Sequence, residues 1–494
     1  MTQAANRYRD YLRARYRCIL GYTGLITAIV GLLMLTPLAL LFFYPQERAV
    51  APAFLVPGLA LLAGGLILWR RLIPRTGATL SYQEGAVIVV LAWLVALLAG
   101  TVPFIWLLKY SFSRAFFEST SGWTTTGLST VDVLATSHVM LFYRSVIQWA
   151  GGAGLAIIAL SALAGPTGPG MSVAEGRGEQ LAPHVRRSAT LVLGLYTAYN
   201  VIGTVLLRLV GMNWFDSVNH AFAALSTGGF STRPESIGYW DSATVEAAII
   251  LLMLLGTLNF LTAYTLLHGK WRAVIRNGEI HVMAFLIPLC AGALFFLVTL
   301  NLYPTLGKSA RVAIFETVTA ISTTGFNTID YRAWPSFGWI VLIVLMLIGG
   351  GAGSTAGAIK QYRVYVLYKA LVWEIKRMFL PPGAVTEPDA WVGETRQFLN
   401  DARIRQVALF VFIYLAAFFV GSAMIAAHGF TVEESLFEFA SSIGTIGISV
   451  GVTSADLPQA VLWSQIVGMI MGRLEFFTVI VGVGKLISDA RQMV

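Results

Sequence analysis

Charge is what this chain has least of. Only 12 % of its 494 residues are Asp, Glu, Lys or Arg, where a soluble domain carries roughly 25 %. That shortage excludes an ordinary water-soluble globule and a disordered, solvated chain. Cysteine is scarcer still. Cys18 and Cys290 stand far apart in apolar surroundings, giving no disulfide framework and no Cys-x-x-Cys pair. The six histidines (His138, His184, His220, His268, His281 and His428) show no ligand spacing such as His-Glu-x-x-His. No transition metal and no cofactor is expected in this chain. Neither a nucleophile–base pair nor a metal cluster can be read, so it is not expected to be an enzyme.

Apolar residues are what is abundant. They make up 56 % of the chain, with a mean hydropathy of +0.72, and they fall in runs of about 20, the length that crosses a bilayer core as a helix. Ten such segments can be laid out: 18–44, 52–69, 83–108, 137–164, 188–211, 242–269, 280–303, 336–359, 402–427 and 458–484. The first follows a basic stretch (Arg7, Arg9, Arg13, Arg15, Arg17). It is too long for a cleaved leader and has no small-residue cleavage site, so it is expected to be a span entered from the cytoplasm. With the N-terminus inside, 24 of the 34 Lys and Arg residues fall in cytoplasmic segments, counting Arg403 and Arg405 at the inner edge of 402–427, and 7 in external ones. Three more, Arg144, Arg208 and Arg473, lie within spans. This bias is what the retention of basic loops on the cytoplasmic side produces. It accounts for most of the +9 net charge without a nucleic-acid partner. A multi-pass protein of the plasma membrane, both termini cytoplasmic, is expected.

An internal repeat carries the chemistry. Four external connections hold a short apolar stretch, too short to span, followed by Ser, Thr and Gly: TTTGLST (124–130), STGGFST (226–232), STTGFNT (322–328) and GTIGISV (444–450). Aligning Gly127, Gly229, Gly325 and Gly447 also aligns Thr125, Thr227, Thr323 and Thr445 two residues earlier. Glu118, His220, Glu316 and Glu438 align nine residues earlier. Each unit reads as span, short re-entrant helix, turn, span. Irregular backbone at membrane depth is tolerated only where protein buries it or where it lines a watery cavity. A cation stripped of water needs oxygens from several sides, which rings of backbone carbonyls supply. Turning successive carbonyls to one axis needs dihedrals that glycine adopts cheaply. The candidate ion-binding residues are therefore Thr125, Thr126 and Gly127; Thr227, Gly228 and Gly229; Thr323, Thr324 and Gly325; and Thr445, Ile446 and Gly447. The three glutamates could lend negative potential to an outer mouth or bond the loop backbone from behind.

These four runs, with GGGAGSTAGAIK (349–360) and MGRLEFF (471–477), resemble the membrane subunit of bacterial Trk potassium-uptake systems (TrkH/TrkG-like), within the Trk/Ktr/HKT superfamily. The resemblance covers nearly the whole chain, and the two extra N-terminal spans match the Trk branch. It implies a potassium-conducting subunit working as a homodimer, with a cytoplasmic nucleotide-binding regulatory ring of the TrkA type. In plant relatives a serine in the first unit accompanies sodium preference. Gly127 therefore implies K+ as the transported ion, with Rb+ and Na+ as further candidates. Membrane lipids are the remaining expected partner.

Two features are candidate gates. Gly349, Gly350, Gly351, Gly353, Ser354, Thr355 and Gly357 interrupt an apolar run, and each glycine lowers helix propensity by about 1 kcal/mol relative to alanine. The run is either a broken helix beneath the loops or a close-packing face, since Gly349, Gly353 and Gly357 have small-xxx-small spacing. The resemblance places an intramembrane gating loop there. Arg473 falls at the same depth as Gly351 in the repeat register, and a charge inside the membrane faces a cavity or a partner. It is expected either to stand in the pore or to pair structurally, for instance with Glu475. The basic stretch from Lys360 to Arg377 serves as a docking face or as an inside anchor.

The expected fold is all-α: four span–pore-helix–loop–span units around one central pore plus an N-terminal hairpin, with about ten spans and four re-entrant pore helices. Its divisions are residues 1–75 (basic segment and hairpin), 76–187, 188–276, 277–400 (with the glycine loop and basic stretch) and 401–494. The expected function is potassium uptake through a channel-like pore. A proton- or sodium-coupled secondary transporter, which also uses broken helices at mid-membrane, is the alternative.

Overall fold

The computed structural model describes residues 2–73, 80–154, 185–381, 387–392 and 395–493. It is predominantly helical, because apolar segments outside water must close their backbone hydrogen bonds internally. Among the described residues six helices are long and apolar enough to cross a membrane: Arg7–Phe42, Pro52–Leu72, Tyr82–Leu108, Thr190–Leu209, Gly278–Leu302 and Asp401–Ala426. The number is eight if each of two interrupted pairs counts as one span.

Three of the ten expected segments differ from a continuous span, and a fourth is described only in part. The helix in 137–164 is described only as His138–Gly152; residues 155–164 and most of the basic connection 165–187 lie outside the described residues. Segment 242–269 is two helices, Ala243–Thr257 and Phe260–Leu267, bent by 114° at Leu258–Asn259. There the Asn259 side chain accepts from Leu261 N at 2.8 Å and starts the second helix. Segment 336–359 is a 13-residue helix, Ser336–Ile348, that stops at Gly349. Segment 458–484 breaks at Glu475, whose φ is +60°.

The chain forms two compact units. One comprises Met1–Thr124, Val131–Ala198 and Leu474–Val494. Its N-terminal hairpin packs helix Thr2–Leu35 on Pro52–Leu72 through Gly24, Gly31, Gly58 and Gly65. A Cβ on Gly31 would stand 2.5 Å from Leu62 N and 2.6 Å from the Gly58 carbonyl oxygen. Small residues let backbones approach in this way where lipid offers no hydrophobic drive for association. Arg15 of the basic N-terminal segment pairs through two nitrogens with Glu84, which also closes a capping box with Ser81 at the head of Tyr82–Leu108. Tyr16 donates to Asp489 at 2.9 Å.

The other unit comprises Thr125–Thr130 and Tyr199–Arg473. It contains one departure from the all-α expectation, an antiparallel hairpin of Asp389–Val392 and Thr395–Phe398 with Asp389 opposite Phe398. Its Ala390, with the following Leu399, packs on Tyr365, Val366 and Val407. Four-residue strands are too short to impose a legible alternation on the sequence. What stabilises them is this long-range apolar cluster.

Candidate functional site

Four short helices precede the four Ser/Thr/Gly runs: Phe112–Trp123, Trp214–Leu225, Leu306–Ile321 and Val432–Ile443. Each ends four residues before its loop glycine. The chain then turns through the left-handed region twice. Thr125, Thr227, Thr323 and Thr445 have φ of +57°, +53°, +56° and +53°, and Gly127, Gly229, Gly325 and Gly447 have +95°, +72°, +87° and +100°. A β-branched residue in this region is an outlier that costs on the order of 1–3 kcal/mol and persists only where surroundings enforce it. The same outlier stands at the same register position in four loops.

The reason for the turn lies in which backbone groups it leaves over. Gly228 N, Thr324 N and Ile446 N donate back to Ala223 O (2.8 Å), Thr319 O (3.1 Å) and Ser441 O (2.9 Å). Gly325 N and Gly447 N donate to the hydroxyls of Thr319 (3.1 Å) and Ser441 (3.0 Å). In these three loops the named N–H groups are thus satisfied by the preceding helix, while the carbonyl just before each glycine lies against a neighbouring loop's glycine. A Cβ on Gly127 would overlap the carbonyl oxygen of Gly228. One on Gly229 would overlap that of Thr324, one on Gly325 that of Ile446, and one on Gly447 that of Thr126. The four approaches run from first loop to second, third, fourth and back to first, so they close a ring. Each oxygen belongs to the residue just before the next loop's glycine. All twelve candidate residues sit in this ring, and their Thr and Ile members are fully buried. The hydroxyls of Thr125 and Thr445 have no hydrogen-bond partner among the described residues. A cavity of about 200 Å³ lies against Gly127, Asn327, Tyr331, Gly447 and Ser449.

In the second, third and fourth units the residue nine before the glycine holds the segment just after it. Glu316 accepts from Thr328 N (2.9 Å), Thr328 Oγ1 (2.7 Å) and the Tyr331 hydroxyl. Glu438 accepts from Ser449 Oγ (2.8 Å), Val450 N (3.3 Å), Thr453 N (3.0 Å) and the Thr453 hydroxyl. His220 breaks the acidic pattern but keeps the position: its ring nitrogens lie 2.8 Å from Asp216 O and 2.9 Å from Ser231 Oγ. Asp216 there takes the carboxylate's part, accepting from Thr232 Oγ1 (2.6 Å) and pairing with Arg233 (2.8 Å). Glu118 is fully buried. Of the two roles open to the glutamates, bonding from behind is the geometry at Glu316 and Glu438. The sequence did not reveal Asp216, one helical turn before His220.

Residues 349–360 are an irregular loop, so Gly349, Gly353 and Gly357 do not form a helical packing face. Gly349 and Gly353 have φ of +70°. The loop lies against two of the left-handed threonines: Gly357 N donates to Thr323 Oγ1 (3.1 Å), and a Cβ on Gly357 would overlap Thr445 Oγ1. Gly350 is similarly close to the Thr257 hydroxyl. Thr355 Oγ1 lies 2.8 Å from Gly256 O and 3.1 Å from Leu225 O, and Gly351 N donates to Thr257 O at 3.0 Å. Ser354 braces the loop internally, donating to Gly351 O at 2.7 Å. Arg473 donates to the Thr355 carbonyl at 2.6 Å, which brings the two candidate gate elements together. Sequence reasoning missed Glu279, buried at the start of Gly278–Leu294 and accepting from Ala352 N at 2.6 Å. An acid at the edge of an apolar span was the available signal.

The sequence matches the family model for TrkH, described as a cation transport protein, over residues 59–492. It is 31 % identical over 469 residues to an uncharacterized cation transporter of Methanocaldococcus jannaschii, covering 94 % of each chain. It is also 31 % identical over 485 residues to the Trk system potassium uptake protein TrkH of Escherichia coli, covering 94 % of this chain and 98 % of that one. The fold is similar to the crystal structure of the potassium transporter TrkH from Vibrio parahaemolyticus, with a TM-score of 0.82 and 28 % identity over 94 % of this chain and 98 % of the other.

Proposed function

The chain belongs to the TrkH family of cation transport proteins, and from that premise we propose that it takes up potassium through a single channel-like pore formed by four span–pore-helix–loop–span units. The closed ring of Thr126, Gly228, Thr324 and Ile446 carbonyls is the observation that supports this most directly. Carbonyl oxygens held in a ring replace the hydration shell of a monovalent cation. With one aligned glycine per loop, fewer sites are stacked than in a longer filter, and discrimination between K+, Rb+ and Na+ is correspondingly looser.

In the same proposal the loop 349–360 and Arg473 form the gate. The loop lies against Thr323 and Thr445, and Arg473 holds it while placing a positive charge beside it. The protein would sit in the bacterial inner membrane with both termini inside. A second copy of the chain and a TrkA-type nucleotide-binding subunit are its proposed partners, both resting on the family resemblance rather than on a contact.

Ion flux into liposomes holding only the purified chain tests the proposal. K+, Rb+, Na+ and Li+ gradients are compared without a proton gradient, with Gly325→Asp as the control. Downhill K+ and Rb+ flux that is lost in the variant is the expected result. Flux that starts only when a proton or sodium gradient is added would replace the pore with a coupled transporter.

A further inference from the structure

The connection from helix Phe260–Leu267 to helix Gly278–Leu294 is only ten residues long, which keeps it close to the ends of those two apolar helices. Within it lies the short helix Trp271–Arg276. Residues four apart share an edge of a helix. One edge here carries Trp271 and Ile275, 62 % and 63 % exposed, and the other carries Arg272 and Arg276, also exposed. Leu267, at the end of the preceding helix, is exposed as well. Beside the helix is an open cavity of about 570 Å³ lined by Lys270, Trp271, Arg272, Arg276 and, from the hairpin strand Asp389–Val392, Trp391. The Arg276 guanidinium lies 5.3 Å from the Trp391 ring centroid. No acidic side chain is among the described lining residues, and Asp389 on the same strand is paired with Arg396 at 2.8 Å.

From this juxtaposition we infer that the cavity binds the phosphate headgroup of an anionic phospholipid. Three cations converge on a space of headgroup size, two tryptophans wall it, and an apolar edge stands alongside for the acyl boundary. Tryptophan favours that boundary, and short amphipathic helices lie in it with basic residues toward the headgroups. A soluble phosphate would use the cations but leave Leu267, Trp271 and Ile275 in water. The site stands apart from the ring and the gate, so it does not depend on the conduction proposal. In sequence it runs directly into the start of helix Gly278–Leu294, which touches the loop 349–360. Asn277, directly after Arg276, donates to Thr262 Oγ1 at 2.8 Å, and Glu279 holds Ala352 N.

The test is native mass spectrometry of the purified full chain, titrated with phosphatidylglycerol and separately with phosphatidylcholine. The double variant Arg272→Gln/Arg276→Gln is compared with a charge-matched control at two exposed arginines, Arg70→Gln/Arg71→Gln. Each surface cation contributes roughly fivefold to anionic-lipid binding, so the first variant should lose tenfold or more in phosphatidylglycerol affinity. The control and all phosphatidylcholine binding should stay unchanged. Equal loss in both variants would mean that only net charge matters, and no loss would mean that the cavity is not the site. Either overturns the inference. Displacement of phosphatidylglycerol by millimolar inorganic phosphate would overturn the lipid assignment in favour of a soluble anion.

Discussion

Replacing Arg473 by alanine should open the proposed pore, and the size of the effect can be bounded from the contacts. In the wild-type chain the guanidinium donates to the Thr355 carbonyl at 2.6 Å. A hydrogen bond from a charged donor contributes about 1.5–3 kcal/mol net. Losing it disfavours the closed loop by that amount, and every 1.4 kcal/mol is tenfold in an equilibrium. The open population should rise between about tenfold and a hundredfold, as long as the open state is the minor one. Other contacts remain, since Thr355 still reaches Gly256 O and Glu279 still holds Ala352 N, so the loop loosens without unfolding. The assay is initial-rate K+ flux in liposomes at equal protein density, with size-exclusion elution checked against wild type. Arg473→Lys separates the two ways the residue can act. If its charge is the obstacle, the lysine variant stays slow; if the tether is, it flows like the alanine variant. Unchanged or lower flux in folded Arg473→Ala protein would refute both.

Two further outcomes are expected. Glu438→Ala leaves the Val450 and Thr453 amides and two hydroxyls without their shared acceptor, so the segment after Gly447 should relax. The K+-over-Na+ flux ratio should fall several-fold, with a smaller fall in Glu438→Gln, which keeps one accepting oxygen; ratios equal to wild type in both variants would make the carboxylate a packing element only. Glu279→Ala leaves the Ala352 amide unpaired in the closed loop, a cost of about 1–3 kcal/mol. Flux should therefore rise about fivefold or more with the K+-over-Na+ ratio unchanged. A changed ratio would place Glu279 in ion selection instead.

Much of the candidate site was legible because its determinants are local. Gly127, Gly229, Gly325 and Gly447 must take positive φ, and few other residues do so cheaply, so the conformation is written as a residue type. The helices before them stop at a fixed distance from that glycine. The basic bias of the loops is likewise a property of composition. Interruption at Gly349 was legible as weak helix propensity, but the same glycines equally suited a packed helix. The conformation of the loop itself, with its amides taken up by Thr257, Thr323 and Glu279, is what separates the two.

Composition and local pattern are enough to set the apolar runs, the fourfold register of Thr and Gly, and the break after Ile348. The tertiary structure alone decided the order in which the loops meet and the acceptors behind them. It also decided the bend at Leu258–Asn259, where Thr257 O takes the Gly351 amide and Phe260 N reaches Gly353 O at 3.4 Å. No propensity at Leu258 demands that bend; a segment nearly a hundred residues later supplies the partners that make it stable. The hairpin at 389–398 has the same origin, since its two short strands are held by Tyr365, Val366 and Val407. Local backbone preference can be read one residue at a time. Hydrogen bonds and apolar contacts between distant segments exist only once those segments have been brought together.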